Sequence, residues 1–108
     1  MEGLELICFQ IISTVGTARS LYIEAIQEAK AGNIEKAREL VKEGEAVFVE
    51  GHKAHAGLIQ QEASGEKVEV QLLLMHAEDQ LMSAEAFKII ANEFIDLYEK
   101  VRGCNEIK

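Results

Sequence analysis

The chain contains no proline and no tryptophan, and aromatic residues make up only 6% of its 108 residues. Proline is the residue that breaks helices most strongly, because it lacks a backbone N–H and clashes with the preceding turn. Alanine, glutamate, leucine and lysine are plentiful, and they lose little side-chain freedom in a helix. The composition therefore predicts an all-α protein, and the length predicts a single domain, 1–108.

Cysteine and basic side chains are also scarce. Only Cys8 and Cys104 occur, near opposite ends of the chain and outside any CxxC pair. A disulfide framework is therefore not expected, and a reducing cytosol fits. Eleven basic residues face 19 acidic ones, which gives a net charge of −8. A surface of that sign repels the phosphates of nucleic acid, so we expect no nucleic-acid partner.

Long apolar runs are missing as well. The most apolar segment, LELICFQII at 4–12, is not preceded by basic residues. No stretch approaches the roughly 18 consecutive apolar residues that suggest a membrane helix. We therefore expect a soluble, cytoplasmic protein without a signal peptide and without direct membrane insertion.

Two short segments carry the chemistry of helix ends. In AGN at 31–33, Gly32 suits the residue after a helix and Asn33 suits the cap of the next one. In ASGEK at 63–67, Gly65 has the same role. These breaks predict helices at roughly 3–31, 33–63 and 67–102. Because short connections join helices about 45 Å long, the prediction is an antiparallel, up-down-up three-helix bundle.

Apolar spacing supports the first two helices. Each has a seam built from steps of three and four residues, as in coiled-coil packing. The seam of the first helix consists of Leu4, Cys8, Ile11, Val15, Ala18, Tyr22, Ala25 and Ala29. The seam of the second consists of Ile34, Ala37, Val41, Gly44, Phe48, His52, His55 and Ile59.

The third helix is apolar on two sides. At about 100° per residue, one arc contains Val68, Leu72, Met75, Ala86, Ile90, Leu97 and Val101. The opposite arc contains Leu73, Ala77, Leu81, Ala84, Ala91 and Ile95. A three-helix bundle needs only one stripe from each helix, so the chain has nothing left to cover the other. We expect the second arc to contact further copies of the chain, since symmetric homo-oligomers commonly cover such surfaces.

Polar side chains interrupt the first arc. Asp79 lies between Met75 and Met82, and His76 lies three positions earlier on the same patch, with Gln80 beside it. A carboxylate in apolar surroundings must protonate, pair or bind a metal. Asp79 either orients a ring nitrogen of His76, leaving the other free as a nucleophile or ligand, or meets symmetry mates around a cation. A third reading is a His–Asp pair that only satisfies itself in an interface.

His52 and His55 are the other metal-ligand candidates. They lie three residues apart on the second helix, and an antiparallel neighbour would bring them near His76. No cysteine and no second His-x-x-Glu unit supports a closed zinc site, and seam histidines more often line a core. The sequence also lacks GxxxxGK[ST], GxGxxG, GxSxG and HExxH, so nucleotide-binding and hydrolase templates have no support.

The segment HAEDQLM at 76–82 resembles the active-site segment of the lactose/cellobiose-type IIA components of the bacterial sugar phosphotransferase system. The usual pattern there is His-Ala/Gly-Gln-Asp-His-Leu-Met. GTARSLYIEAIQEAKAGNIEKA at 16–37 and HKAHAGLIQQEASGE at 52–66 also follow family stretches, with matching spacing. The resemblance covers nearly the whole chain.

This resemblance implies a three-helix protomer in a homotrimer. It implies that His76 is transiently phosphorylated, that phospho-HPr is the donor, and that a cysteine of the IIB component is the acceptor during sugar import through IIC. Asp79 matches an aspartate near the trimer axis, where some members bind a divalent ion, Mg²⁺, one per trimer. No organic cofactor is implied. Gln80, one turn beyond His76, is our candidate for donating a hydrogen bond to the phosphate.

Four positions depart from the family pattern. Glu78 replaces the usual Gln, Gln80 the second His, His55 a usual Gln, and Gly51 a usual Ala. None removes the nucleophile or the aspartate. The resemblance favours a β-linked disaccharide (cellobiose, chitobiose or lactose) as the sugar.

Two other classes of function remain open from the residues alone. One is a non-catalytic helical adaptor whose apolar third helix docks a partner, and it requires His76 to be replaceable without loss of function. The other is a metal-storing or metal-sensing bundle that uses His52, His55, His76 and Asp79. It requires stoichiometric metal binding that is lost on His52→Ala.

Overall fold

The computed structural model describes residues 3–107, with side chains described through residue 103. Three helices form the described chain: α1, Gly3–Lys30; α2, Ile34–Ala63; and α3, Leu72–Ile107. No residue from 3 to 107 is in a strand, as the all-α prediction requires. The bundle is elongated, with extents of 62 × 23 × 20 Å.

Both predicted breaks are helix ends. Gly32 and Gly65 have φ of 93° and 96°, the left-handed conformation that glycine adopts without steric cost. The next N–H in each case bonds to the carbonyl five residues earlier, Asn33 to Glu28 and Glu66 to Gln61. This pattern satisfies carbonyls that a helix end leaves unpaired. Asn33 does precede α2, but its side chain donates to Glu28 Oε1 at 2.8 Å and makes no cap hydrogen bond.

The third helix begins five residues later than 67 and extends beyond 102. In the segment before Leu72, valines alternate with polar residues, and β-branched side chains disfavour a helix. Val68 turns into the core while Val70 stays exposed. The first hydrogen bond of the helix runs from the N–H of Met75 to the carbonyl of Gln71. The approach to His76 is therefore an extended segment rather than a longer helix.

Helix α1 supplies the centre of the core. Every residue of its predicted seam is buried except Leu4, which is half-buried, so that prediction is confirmed. The Cys8 thiol is buried, and the pKa of that thiol is raised by desolvation and then by the nearby carboxylates Glu78 and Glu5. The side chain of Cys104 lies outside the described residues.

Two glycines let α2 approach α1 closely. A Cβ at Gly44 would lie 2.5 Å from Tyr22 Cε1, and one at Gly51 would lie 2.5 Å from Thr14 Oγ1. The contacting residues run in opposite order along α1 and α2, so these helices are antiparallel. The α2–α3 pairs Arg38–Asp96, Glu45–Lys88 and His55–Glu78 run in opposite order too.

The seam of α2 agrees with the prediction only in its first half. Ala37, Val41 and Gly44 are buried, but farther along the buried positions are Gly51 and Leu58. His52 and Ile59 are exposed. The predicted seam left the observed one after Phe48, where it took a second consecutive step of four residues to His52. A step of three reaches Gly51, the small residue that fits against α1.

The two sides of α3 are used in the opposite way from the prediction. The inner face, which packs against α1 and α2, is rich in alanine and consists of Ala77, Leu81, Ala84, Ala91 and Ile95. The outer face, exposed in the single chain, carries the bulky ones: Leu72, Met75, Met82, Ile90, Leu97 and Val101. Small side chains are needed where helices approach closely, whereas periodicity alone does not say which stripe points inward. The expectation that the alanine-rich arc contacts other copies is therefore wrong.

Among the described helices, α1 is the one long and apolar enough to cross a membrane, by length and composition alone. Core helices pass the same test. In this fold its seam packs against both other helices and forms the core.

Candidate functional site

The candidate nucleophile His76 lies in the second turn of α3 and is exposed. It lines a shallow concave surface with Leu72 and Leu73. No hydrogen bond or ion pair joins its ring to any side chain described between residues 3 and 103. The imidazole is thus free to receive a group from solvent or from a docked protein.

Asp79 lies on the outer face between Met75 and Met82, whose side chains are 58% and 61% exposed. It is exposed itself, and no described basic group pairs with it. It is not hydrogen-bonded to His76, so the reading in which it orients that ring is not seen in one chain. Desolvation of the Asp79 carboxylate would be costly only if another molecule covered the outer face.

Gln80 is half-buried, one turn beyond His76. Within the described part of the chain its amide makes no hydrogen bond to the His76 ring. Its position is therefore compatible with contact to a group on His76, and the amide is not committed elsewhere.

His52 and His55 do not join His76. The ring of His52 lies against Phe48, with centroids 6.1 Å apart. The Nε2 of His55 lies 2.6 Å from Glu78 Oε1. Over the described residues there is no group of three or more His, Cys, Asp or Glu side chains that could hold a metal. The metal-storing bundle therefore has no support within one protomer.

The His55–Glu78 hydrogen bond was not predicted. The side chain of His55 is 17% exposed and that of Glu78 is 45% exposed, so the pair lies at the boundary of the core. One signal in the sequence could have pointed to it, since both residues depart from the pattern of the family that the sequence resembles, where Gln is usual at each. The antiparallel register that places them side by side is seen only in the structure.

This chain is similar to known proteins over most of its length. The family model described as "PTS system, Lactose/Cellobiose specific IIA subunit" matches residues 6–99. The chain belongs to this family. It is 45% identical over 100 residues to the lichenan-specific phosphotransferase enzyme IIA component of Bacillus subtilis (strain 168), covering 93% of this chain and 91% of that one. The predicted family is confirmed, and with it the chain's place as a component of the phosphotransferase system.

Solved IIA structures share the fold. The crystal structure of the cellobiose-specific enzyme IIA from Bacillus anthracis has a TM-score of 0.93 and 45% identity, covering 95% of this chain and 94% of that one. A solution structure of the IIA(Chitobiose)–HPr complex of the Escherichia coli phosphotransferase system has a TM-score of 0.81 and 31% identity. It covers 94% of this chain and 99% of that one.

Proposed function

We propose that this IIA-family chain is a phosphocarrier in which His76 takes a phosphoryl group from phospho-HPr and passes it to a cysteine of the IIB component. The relay would serve the uptake and phosphorylation of a β-linked disaccharide. The observation that carries the proposal is the exposed, unpaired His76 ring within the family's active-site motif. A relative solved together with HPr supports the donor.

The chemistry needs one neutral ring nitrogen. Its lone pair attacks the phosphorus of phospho-HPr, a nitrogen–phosphorus bond forms, and the bond to the donor breaks with its electron pair leaving on the donor. A IIB thiolate then attacks the same phosphorus, a sulfur–phosphorus bond forms, and the electron pair returns to His76. The attacking nitrogen of a neutral imidazole carries no proton, so no separate base is required to activate it.

Gln80 is proposed to donate its amide N–H to an equatorial oxygen of the phosphoryl group. Such donors stabilise the charge that spreads over these oxygens during transfer. A Gln80→Ala variant should accept the group more slowly. Transfer at the wild-type rate would remove Gln80 from the site.

The outer face of α3 is proposed to hold three copies of the chain together. Its bulky side chains form a continuous exposed stripe, and stripes of this kind mark association surfaces. Asp79 lies in the middle of that stripe. One chain offers a single carboxylate there, whereas three copies would offer three oxygen donors of the kind that Mg²⁺ favours. When bound, such an ion would neutralise the converging charges.

The relatives also support the setting. Their names include cellobiose, chitobiose and lactose, so we keep to the class of β-linked disaccharides. The chain itself would work in the cytoplasm, between HPr and the IIB component of the permease.

The decisive experiment incubates the protein with phosphoenolpyruvate, enzyme I and HPr, and measures intact mass. The wild type should gain one phosphoryl group per chain, labile in acid and stable in base. His76→Ala should gain none while keeping its helical circular dichroism. His52→Ala is the matched control, since His52 is also an exposed histidine, and it should gain the group normally. A group on His76→Ala would refute the assignment.

A further inference from the structure

The pair His55–Glu78 joins α2 to α3 next to the phosphoacceptor. Three polar links between these helices are spread along their length: Arg38 with Asp96 and Glu99, Glu45 with Lys88, and His55 with Glu78. Of these, His55–Glu78 is the nearest to His76, two residues away along α3. It is also the least exposed on its α2 side.

Apart from this pair, apolar contacts hold the start of α3 against the rest of the bundle. Residues 66–71 are not helical, and the residues around Leu72 and Met75 are mostly exposed. Leu74 and Ala77 anchor the first two turns in the core. Apolar contacts are not directional, whereas a hydrogen bond of 2.6 Å to a carboxylate fixes both distance and angle.

Glu78 and His76 project from opposite edges of the outer face. They are two positions apart, or about 200° around the helix. A rotation of the first turns that separated Glu78 from His55 would therefore turn His76, together with the concave surface it shares with Leu72 and Leu73, relative to α2 and to a docked protein. The His55–Glu78 pair at one edge of the outer face would thus set the direction of the His76 ring at the other edge.

We propose that His55 and Glu78 form a positioning pair, which fixes the rotation of the first turns of α3 against α2 and thereby aims His76. The inference rests on the proposed function for its consequence in transfer, but the pair itself is visible in the fold.

The test combines transfer kinetics with hydrogen exchange. Four variants are compared with the wild type: His55→Ala, Glu78→Ala, both together, and His55→Gln combined with Glu78→Gln. Each alanine variant should lower the maximal rate of phosphoryl acceptance at saturating phospho-HPr about tenfold, because a small misplacement of the nucleophile is costly. The double alanine variant should lose no more than either single one, and the amide pair should recover most of the rate.

Hydrogen exchange separates positioning from general stability. In the alanine variants, amides at 72–80 should exchange faster while those at 84–95 remain protected. The control is Glu45→Ala, which breaks the α2–α3 ion pair between Glu45 and Lys88. This variant should leave the transfer rate and the exchange of the amides at 72–80 unchanged.

Three results would overturn the proposal: unchanged transfer and exchange in the alanine variants, faster exchange along all of α3, or additive losses in the double variant. If the wild type accepts no phosphoryl group at all, the proposed function fails instead. Hydrogen exchange at 72–80 then tests by itself whether the His55–Glu78 pair orders the start of α3, since this measurement requires no relay protein.

Discussion

The two faces of α3 differ in size, polarity and task. The inner face is built around alanines at Ala77, Ala84 and Ala91, all fully buried, and it contains no carboxylate. The outer face carries large side chains that remain exposed, and Asp79 lies among them. A helix that only completed a three-helix core would need the first face alone. The second face is therefore the part of the molecule that the fold itself does not explain.

The largest effect should come from emptying the inner face. Ile95 is completely buried, so Ile95→Ala removes packed atoms and leaves a cavity. We expect the free energy of unfolding to fall by about 2–5 kcal/mol, measured by urea denaturation. Leu97→Ala is the matched change on the outer face, where the side chain is 53% exposed. It should instead weaken the association of copies, measured by sedimentation equilibrium, and change the free energy of unfolding little at protein concentrations where the wild type is monomeric. If both variants lost the same free energy of unfolding and neither changed association, the two faces would not differ as described.

A second comparison adds atoms instead of removing them. Ala84→Leu forces a larger side chain into the inner face and should cost about 1–3 kcal/mol of stability. Ala86→Leu, two residues later, points to the exposed side and should leave folding intact while strengthening association. Thermal unfolding and analytical ultracentrifugation check both. A stable Ala84→Leu protein would mean that the inner face is not tightly packed.

A third, smaller effect tests whether water is excluded from the core next to the inner face. Tyr22 packs in the same cluster as Ala91 and Ile95, and burial, followed by the charge of Glu45, raises the pKa of its phenol to about 12. Above pH 10 the unfolded chain loses this proton and the folded chain keeps it. Stability should therefore fall by about 1–2 kcal/mol as the pH rises from about 10 to about 12. Tyr22→Phe should remove that part of the alkaline loss in urea titrations. If the stability of Tyr22→Phe fell with pH as steeply as that of the wild type, the phenol of Tyr22 would be hydrated in the folded chain.

The smallest effect concerns charge on the outer face. Glu93 lies among Ile89, Ile90, Phe94 and Leu97, two heptads beyond Asp79. If copies meet along this stripe, their Glu93 carboxylates approach each other and weaken the assembly. Glu93→Gln should tighten association severalfold, or by about 1 kcal/mol, in sedimentation equilibrium. Glu99→Gln, which pairs with Arg38 on another side, serves as control. Unchanged association after Glu93→Gln would place this residue outside the interface, and weaker association would mean that its carboxylate has a favourable partner there.

Much of the fold was readable from local chemistry. Gly32 and Gly65 marked the helix ends because only glycine takes a left-handed conformation without cost, and the α1 seam was readable because one continuous set of apolar residues lines it. The beginning of α3 was missed because Val68 and Val70 fit a helical wheel but favour extended backbone. The faces of α3 were reversed because periodicity measures spacing, whereas inward packing also depends on side-chain size.

The candidate site was only partly readable. His76 and Asp79 stood out because polar groups interrupt an apolar stripe, and the family motif gave them roles. The sequence did not show that both are exposed and unlinked in the single chain. Nor did it show that His55 turns away from His76 to bind Glu78, because that contact depends on the register between two helices.

The most direct test of the account labels the three histidines with ¹⁵N and follows their ring signals by NMR as the phospho-HPr relay is started. The account predicts that the His76 ring alone acquires the shifts of a phosphorylated imidazole, while His52 and His55 keep an unmodified ring. Signals that stay unchanged for all three, or a modified ring at His52 or His55, would contradict it.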